Sequence, residues 1–378
     1  MLYTTVVASA QNSLQLAAMD SVEVGLLTCS PHDEVYSLYG HTALCYHDRR
    51  YGQENDIVFN YGLFDFRKPH FVLRFVFGLT DYELGLASFE GFCHEYQRWG
   101  SEVTEQVLNL TREEKWQLTL ALTKNLQKEN SVYRYNYFYD NCSTRPRNII
   151  EQCIRGTVVY DDNDRGDLSF RQMIHQYTAK YPWATFGNDI LLGIKADLNT
   201  TQREQEFLPA HLRHDFDRAM IDRGDGRLIP LVKERRQIVP PSVQMQKKGF
   251  PLSPTACSLL LLALSVLILA WEWRRGRTLV WWDVILMLLT GLSGCIIFIM
   301  LFSQHPATST NLTIFLLNPL PLLYIYKVAR RRHTYWFKLQ FALVILFFIG
   351  GLWQHYADGL YGVALCLLLR YWRHLHDK

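Results

Sequence analysis

Two residues in this chain have the types and settings for nucleophilic chemistry. Cys142 ends the run "YNYFYDNC" and precedes "STRPRNII", so an aromatic, strand-like stretch gives way to a helical pattern at the thiol. A thiol just ahead of a helix meets unpaired backbone N–H groups and the positive end of the helix dipole, and both favour the thiolate. The same N–H groups suit the oxyanion of a tetrahedral intermediate. Arg145 and Arg147 add positive potential and Asp140 subtracts from it. Cys142 is therefore either a small buried residue or a nucleophile in need of a base. Pro146 bears on where the helix starts. With Asn141 as the cap, Pro146 falls beyond the first turn and removes a hydrogen bond. With Ser143 or Thr144 as the cap it sits in the tolerated first turn, and this second arrangement is expected.

The candidate base is His41 in "GHTAL", where Gly40 permits close approach of backbone or substrate. His47 shares its parity along the strand but stands ~20 Å away, too far to serve the same thiol. A base also needs a third group to orient it. "SLYGHTALCYHD" (37–48), the turn "RRYGQEND" and "DIVFNYGLFDF" (56–66) read as a β-hairpin. A turn near Gly52 puts residues 60 to 63 opposite His41, which makes Asn60 the candidate, with Tyr61 and Asp56 behind it. A slip of one residue would change the face.

The elements around these residues are legible in part. "SEVTEQVLNL" (101–110) reads as a strand, and "TREEKWQLTLALTKNLQKEN" as a helix opened by a Thr111/Glu114 capping box. From Ser169 the pattern is largely helical, clearest in "SFRQMIHQYTAKY" and "TQREQEFLPAHLRHDFDRAM". The expected division is a signal-like or disordered segment at 1–19, a thiol-enzyme domain at 20–227, a linker at 228–252 and a membrane domain at 253–378.

The membrane domain rests on apolar runs at Ala256–Trp271, Val280–Phe302, Leu312–Val328, Phe337–Trp353 and Leu360–Tyr371. A span needs about 20 mostly apolar residues, so four or five spans are expected, the last run being short. The links "RRGR" and "KVARRRH" and the C-terminal "RYWRHLHDK" are basic, whereas "SQHPATSTN" and "QHYADG" carry no Lys or Arg. Positive residues stay on the cytoplasmic side, which puts the N-terminal domain outside. "MLYTTVVASAQ" ends in a small-x-small cleavage pattern, and the sequence is expected to begin partway through a signal peptide. The third run contains Asn318, Pro319 and Pro321, which predict a kink, and Asp283 reads as interfacial. A net charge of +3 gives no pointer to nucleic acid, and no His/Cys pattern at ligand spacing implies a metal. Five cysteines precede the spans, an odd number that leaves room for one working thiol.

The order of parts, a Gly-His at a β-run and then a cysteine opening a helix, resembles the circularly permuted papain-like (NlpC-type) thiol enzymes. "YGHTAL", "VFNYGLFDF", "YNYFYDNCSTR" and "FGNDILLGIKAD" with "EQEFLP" together look like the exported domain of the Lnb-type lipoprotein N-acyltransferases. The resemblance implies an α+β, permuted papain-like domain on the periplasmic side of a bacterial inner membrane, followed by helical spans. It implies Cys142 as nucleophile and His41 as base, a phospholipid as acyl donor, a diacylated lipoprotein as acceptor, and no cofactor. Asn60 is the expected third catalytic group, and Arg145, Tyr61 and Asp140 are expected at the substrate; Arg145 or Arg147 would pair with a phosphate. The alternative with the same thiol is a membrane-tethered cysteine peptidase or amidase acting on cell-wall peptides. A third reading is a non-catalytic receptor or scaffold whose Cys142 is disulfide-bonded.

Overall fold

A computed structural model describes residues 14–65, 67–162, 164–242, 249–331 and 335–376. The signal-like pattern at residues 8–10 lies outside them; residues 14–18 are helical and Met19 is buried. The chain forms two compact units. The first comprises residues 1–71, 79–167 and 200–247, and the second 72–78, 168–199 and 248–378.

The first unit is built on a seven-stranded antiparallel sheet. Its strands are β1 (Val22–Cys29), β2 (His41–Asp48), β3 (Ile57–Leu63), β4 (Asp81–Ser88), β5 (Val103–Leu108), β6 (Val132–Arg134) and β10 (Val232–Val239), in the order β10-β5-β1-β2-β3-β4-β6. β7 (Thr157–Val159), β8 (Met220–Asp222) and β9 (Leu228–Pro230) form a separate small sheet. β1 is nearly all apolar because both faces of the sheet are covered. On one face Val24, Leu26, Leu44, Phe59 and Tyr61 join Leu118 and Leu122 of helix α2 (Arg112–Leu126) and Ile149 and Ile150 of α3 (Thr144–Cys153). On the other, Leu27, Cys29, Ala43, Cys45 and Val58 pack on Phe92 and Tyr96 of the helix Phe89–Arg98.

The predicted hairpin, the strand within 101–110 and the capping box of α2 are present, the box with both reciprocal hydrogen bonds. Two boundaries differ from expectation. The stretch 228–252 is not a plain linker, because β9 and β10 lie in it and β10 pairs with β5 along the sheet edge. Residues 168–199 belong with the membrane helices rather than with the sheet.

In the second unit three helical segments are long and apolar enough to cross a membrane: Pro254–Arg275, Val280–Leu301 and Leu312–Ala329. Trp336–Gly350 is apolar but shorter, and Leu360–His376 closes the chain. The third segment breaks as its prolines predict, into a 3-10 turn Leu312–Phe315 and a helix Leu320–Ala329. Between the two pieces Asn318 is buried and exchanges hydrogen bonds with Gln340. Asp283, expected at the interface, is instead buried, accepting from Arg370 at 2.9 Å and pairing with His374 at 2.8 Å, while Arg370 also binds Glu272 at 2.7 Å. Mutual pairing offsets the large cost of burying those charges.

Residues 168–199 fold around Arg171, whose guanidinium meets Asp189 at 2.8 Å and Asp197 at 2.7 Å and donates to the Leu192 carbonyl. This hairpin bonds to both links that lack Lys and Arg. Gly193 N–H donates to Ala307 O at 2.8 Å, Ile194 N–H to Thr310 O at 2.9 Å, and Gln354 Nε2 to Leu192 O at 3.2 Å.

Candidate active site

The helix α3 begins at Thr144 with Ser143 as its cap, so Pro146 lies in the first turn and Cys142 stands just ahead of the helix, as expected. The capping work is done from further back. Asn141 Oδ1 accepts from the N–H of Ser143 at 2.8 Å and of Thr144 at 3.0 Å, and its amide donates to the carbonyls of Tyr137 and Phe207 at 3.0 and 2.8 Å. A buried side chain with four bonds fixes the backbone that carries the thiol.

His41 opens β2. The ladder pairs Leu44 with Phe59 and Cys45 with Val58, so Asn60 falls on the face that His41 and Cys45 share. His41 Nε2 donates to Asn60 Oδ1 at 2.7 Å, which leaves Nδ1 for the thiol. The His41 charge acts on Cys142, and the Thr42 backbone N–H and the Ser143 hydroxyl also favour its thiolate. Burial pushes the Cys142 thiol up, but the His41 charge and these groups outweigh it and leave the pKa below the usual thiol range. Burial likewise opposes the charge on His41, and the Cys142 thiolate with Asn60 raises its pKa above the ordinary value. The two shifts describe one pair in which each group's charge favours the other's. All eight cysteines are free, so Cys142 is tied up in no disulfide.

The structure brings Cys142, His41 and Asn60 together. It does not bring the three expected substrate contacts to the thiol as free groups. Tyr61 is 1 % exposed and its hydroxyl accepts from Asn125 at 2.9 Å, because the residue after Asn60 must face the opposite side of the strand. Asp140 and Arg145 bind each other at 2.6 Å. Arg147 is buried against Glu206 at 2.7 Å. Asp56 is not behind Asn60; it holds His47 Nδ1 at 2.8 Å.

Sequence reading missed several neighbours. Thr42 Oγ1 and Ser143 Oγ lie 3.0 Å apart and lock the start of β2 to the start of α3. The Tyr96 ring lies parallel to the His41 imidazole, with centroids 6.5 Å apart. Tyr133 stands beside the thiol, at a point where Gly62 leaves space. Thr42, next to His41, and Ser143, next to Cys142, carry the one sequence signal that could have found them. Cys45, His47 and Glu105 also converge, although Cys and His had shown no ligand spacing in sequence. There Glu105 Oε1 accepts from Cys45 at 3.2 Å and pairs with His47 at 3.0 Å, so the three satisfy one another.

A family model described as the Lnb N-terminal periplasmic domain matches residues 9–176, and one described as the Lnb transmembrane domain matches residues 245–378. The chain belongs to the Lnb family. No curated protein and no solved structure matches it. Its Lnb domains are those of membrane-associated enzymes of lipoprotein N-acylation, with a periplasmic domain joined to membrane-crossing helices. In this Lnb chain the Cys142, His41 and Asn60 positions all fall inside the periplasmic match, while Glu206 and Phe207, which bond Arg147 and Asn141, lie between the two matches.

Proposed function

We propose that this protein is a thiol acyltransferase that moves an acyl chain from a phospholipid to the N-terminal amine of a lipoprotein. Cys142 gives its proton to His41 and attacks the ester carbonyl of the donor. The tetrahedral intermediate collapses with loss of the lysophospholipid alkoxide, which takes the proton back from His41. The α-amine of a diacylglyceryl-cysteine then attacks the thioester, His41 accepts its proton, and the thiolate leaves. The observation that carries this reading is the hydrogen-bonded pair His41–Asn60 set beside Cys142, with the charges of His41 and Cys142 favouring each other, in a chain of an N-acylating family. The permuted papain order supports it, with a histidine strand preceding the cysteine helix and an amide as the third group.

Chain membership in a membrane unit fits the substrate. Each buried CH₂ is worth about 0.8 kcal/mol, so an acyl chain gains on the order of 10 kcal/mol by remaining in lipid. An enzyme fixed to the outer face of the inner membrane by its own helices, four or five in the proposed count, takes the chain without drawing it into water. Mass spectrometry of lipoproteins from cells carrying Cys142→Ser or His41→Ala tests the proposal. Loss of the N-linked acyl chain is expected; lipoproteins acylated as in the parent strain would overturn it.

A further inference from the structure

The helix start ahead of which Cys142 sits has less to offer an oxyanion than its sequence implies. Its first two N–H groups, those of Ser143 and Thr144, are both held by Asn141 Oδ1. An intermediate formed on Cys142 therefore finds those two N–H groups already engaged and gains from a further donor. Tyr133, in β6, has a hydroxyl that is buried and without a hydrogen-bond partner among the described residues, in a side chain only 8 % exposed. Such a group costs about 1–3 kcal/mol and calls for an explanation.

Its position supplies one. Gly62, at φ +93°, follows Asn60 along β3, and a Cβ built on it would lie 3.6 Å from Cys142 Cβ and 3.9 Å from Tyr133 Oη. The missing side chain leaves room bounded by the thiol on one side and the phenol on the other. Of the neighbouring tyrosines, Tyr61 has its hydroxyl engaged by Asn125, and the Tyr137 hydroxyl, also buried and without a partner among the described residues, has no such glycine gap beside the thiol. We infer that the Tyr133 hydroxyl is the side-chain donor to the oxyanion formed when Cys142 attacks an acyl carbonyl, an inference that rests on the acyl-transfer reading above.

As the C–S bond forms, the carbonyl π pair moves onto oxygen, and Tyr133 O–H donates a hydrogen bond to it while keeping its proton. Burial pushes the phenol well above its ordinary pKa, so it remains a donor at any working pH. The Arg145 guanidinium stacks on the ring, 3.4 Å from its centroid, and Asp140 holds it there. A cation on the ring face draws charge from the phenol and strengthens the O–H as a donor. Arg145, expected at a phosphate, acts in this arrangement through Tyr133 as a positioning residue.

Two reagents separate this role from packing. Purified full-length protein is treated with a 4-nitrophenyl acyl ester, which reacts through an oxyanion, and with iodoacetamide, which alkylates the thiolate by displacement and forms none. Tyr133→Phe is expected to slow ester acylation of Cys142 by about 10²–10³-fold, with alkylation within about twofold of the parent rate and a melting temperature no lower, since an unsatisfied hydroxyl has gone. Unchanged ester acylation would overturn the inference, and an equal fall in both rates would assign Tyr133 to packing. A parent protein that takes neither reagent at Cys142 would overturn the thiol reading itself.

Discussion

Strand β2 presents two histidines on one face, six residues apart, and they differ in what stands opposite them. His47 has a carboxylate on each ring nitrogen, Asp56 at 2.8 Å and Glu105 at 3.0 Å. Burial works against its charge, but the two carboxylates outweigh burial and raise its pKa above the ordinary 6.5. Its charged form is favoured, and the residue bridges two acids. His41 faces an amide and a thiol. Asn60 orients the ring without adding a charge, and the anion that most favours the His41 proton is the Cys142 thiolate, with Glu95 adding less. The same side chain on the same strand is a clamp in one place and, in the proposed mechanism, a proton carrier in the other, and the neighbours decide which.

The comparison can be broken most severely at the carrier. Cys142→Ala is expected to abolish acyl transfer, and His41→Ala to lower kcat by at least ~10³-fold, measured with purified enzyme and a phospholipid donor. In the latter variant, alkylation of Cys142 should need a higher pH, because the imidazolium that lowers the thiol pKa is gone. Turning the amide into an acid makes His41 resemble His47. Asn60→Asp is expected to raise the His41 pKa by about a further unit and to move the alkaline limb of the kcat/KM profile upward, with kcat reduced because the proton is held more tightly. A profile identical to the parent's would mean that Asn60 does not orient the ring.

The clamp is probed by stability. His47→Gln leaves Glu105 and Asp56 buried without their cation, and a loss of about 3 kcal/mol in unfolding free energy is expected, with kcat per folded molecule unchanged. The smallest effect is in its pH dependence. A folded pKa above the unfolded value means that the stabilisation is complete below about pH 6.5 and fades as pH rises through the folded value. Melting curves across that range should decline for the parent and run flatter for His47→Gln.

Some of this was legible in the sequence and some was not, for identifiable reasons. Cys142, His41 and Asn60 could be found because each is defined by a local pattern: a cap after an aromatic run, a Gly-His before a strand, a register set by one short hairpin. Tyr61 was misplaced because a hairpin read by sequence gives a neighbourhood, and the next residue along a strand points the other way. Arg145 and Asp140 were read separately, although five residues across a turn and a helix start brings them together. β10 was taken for a linker because "VKERRQIV" is rich in charge. That is how an edge strand with one open side looks, with Arg236 reaching Glu23 and Glu234. Nothing local marks residues 168–199 as part of the membrane unit, since their attachment runs through backbone carbonyls and a few apolar side chains such as Phe186, Ile190 and Leu191.

The interruption of the sheet domain by residues 168–199 has a consequence for synthesis. The chain leaves that domain at Asp167, returns at Thr200, and adds the outermost strand only at Val232–Val239, ahead of the first long apolar helix at Pro254. Phe207, whose carbonyl secures Asn141, also arrives after the detour. The thiol therefore cannot be set in its final position while the ribosome is still making the catalytic stretch. Both later pieces lie in sequence just ahead of the first long apolar helix, so the setting of the thiol is complete only as the membrane-crossing stretch begins.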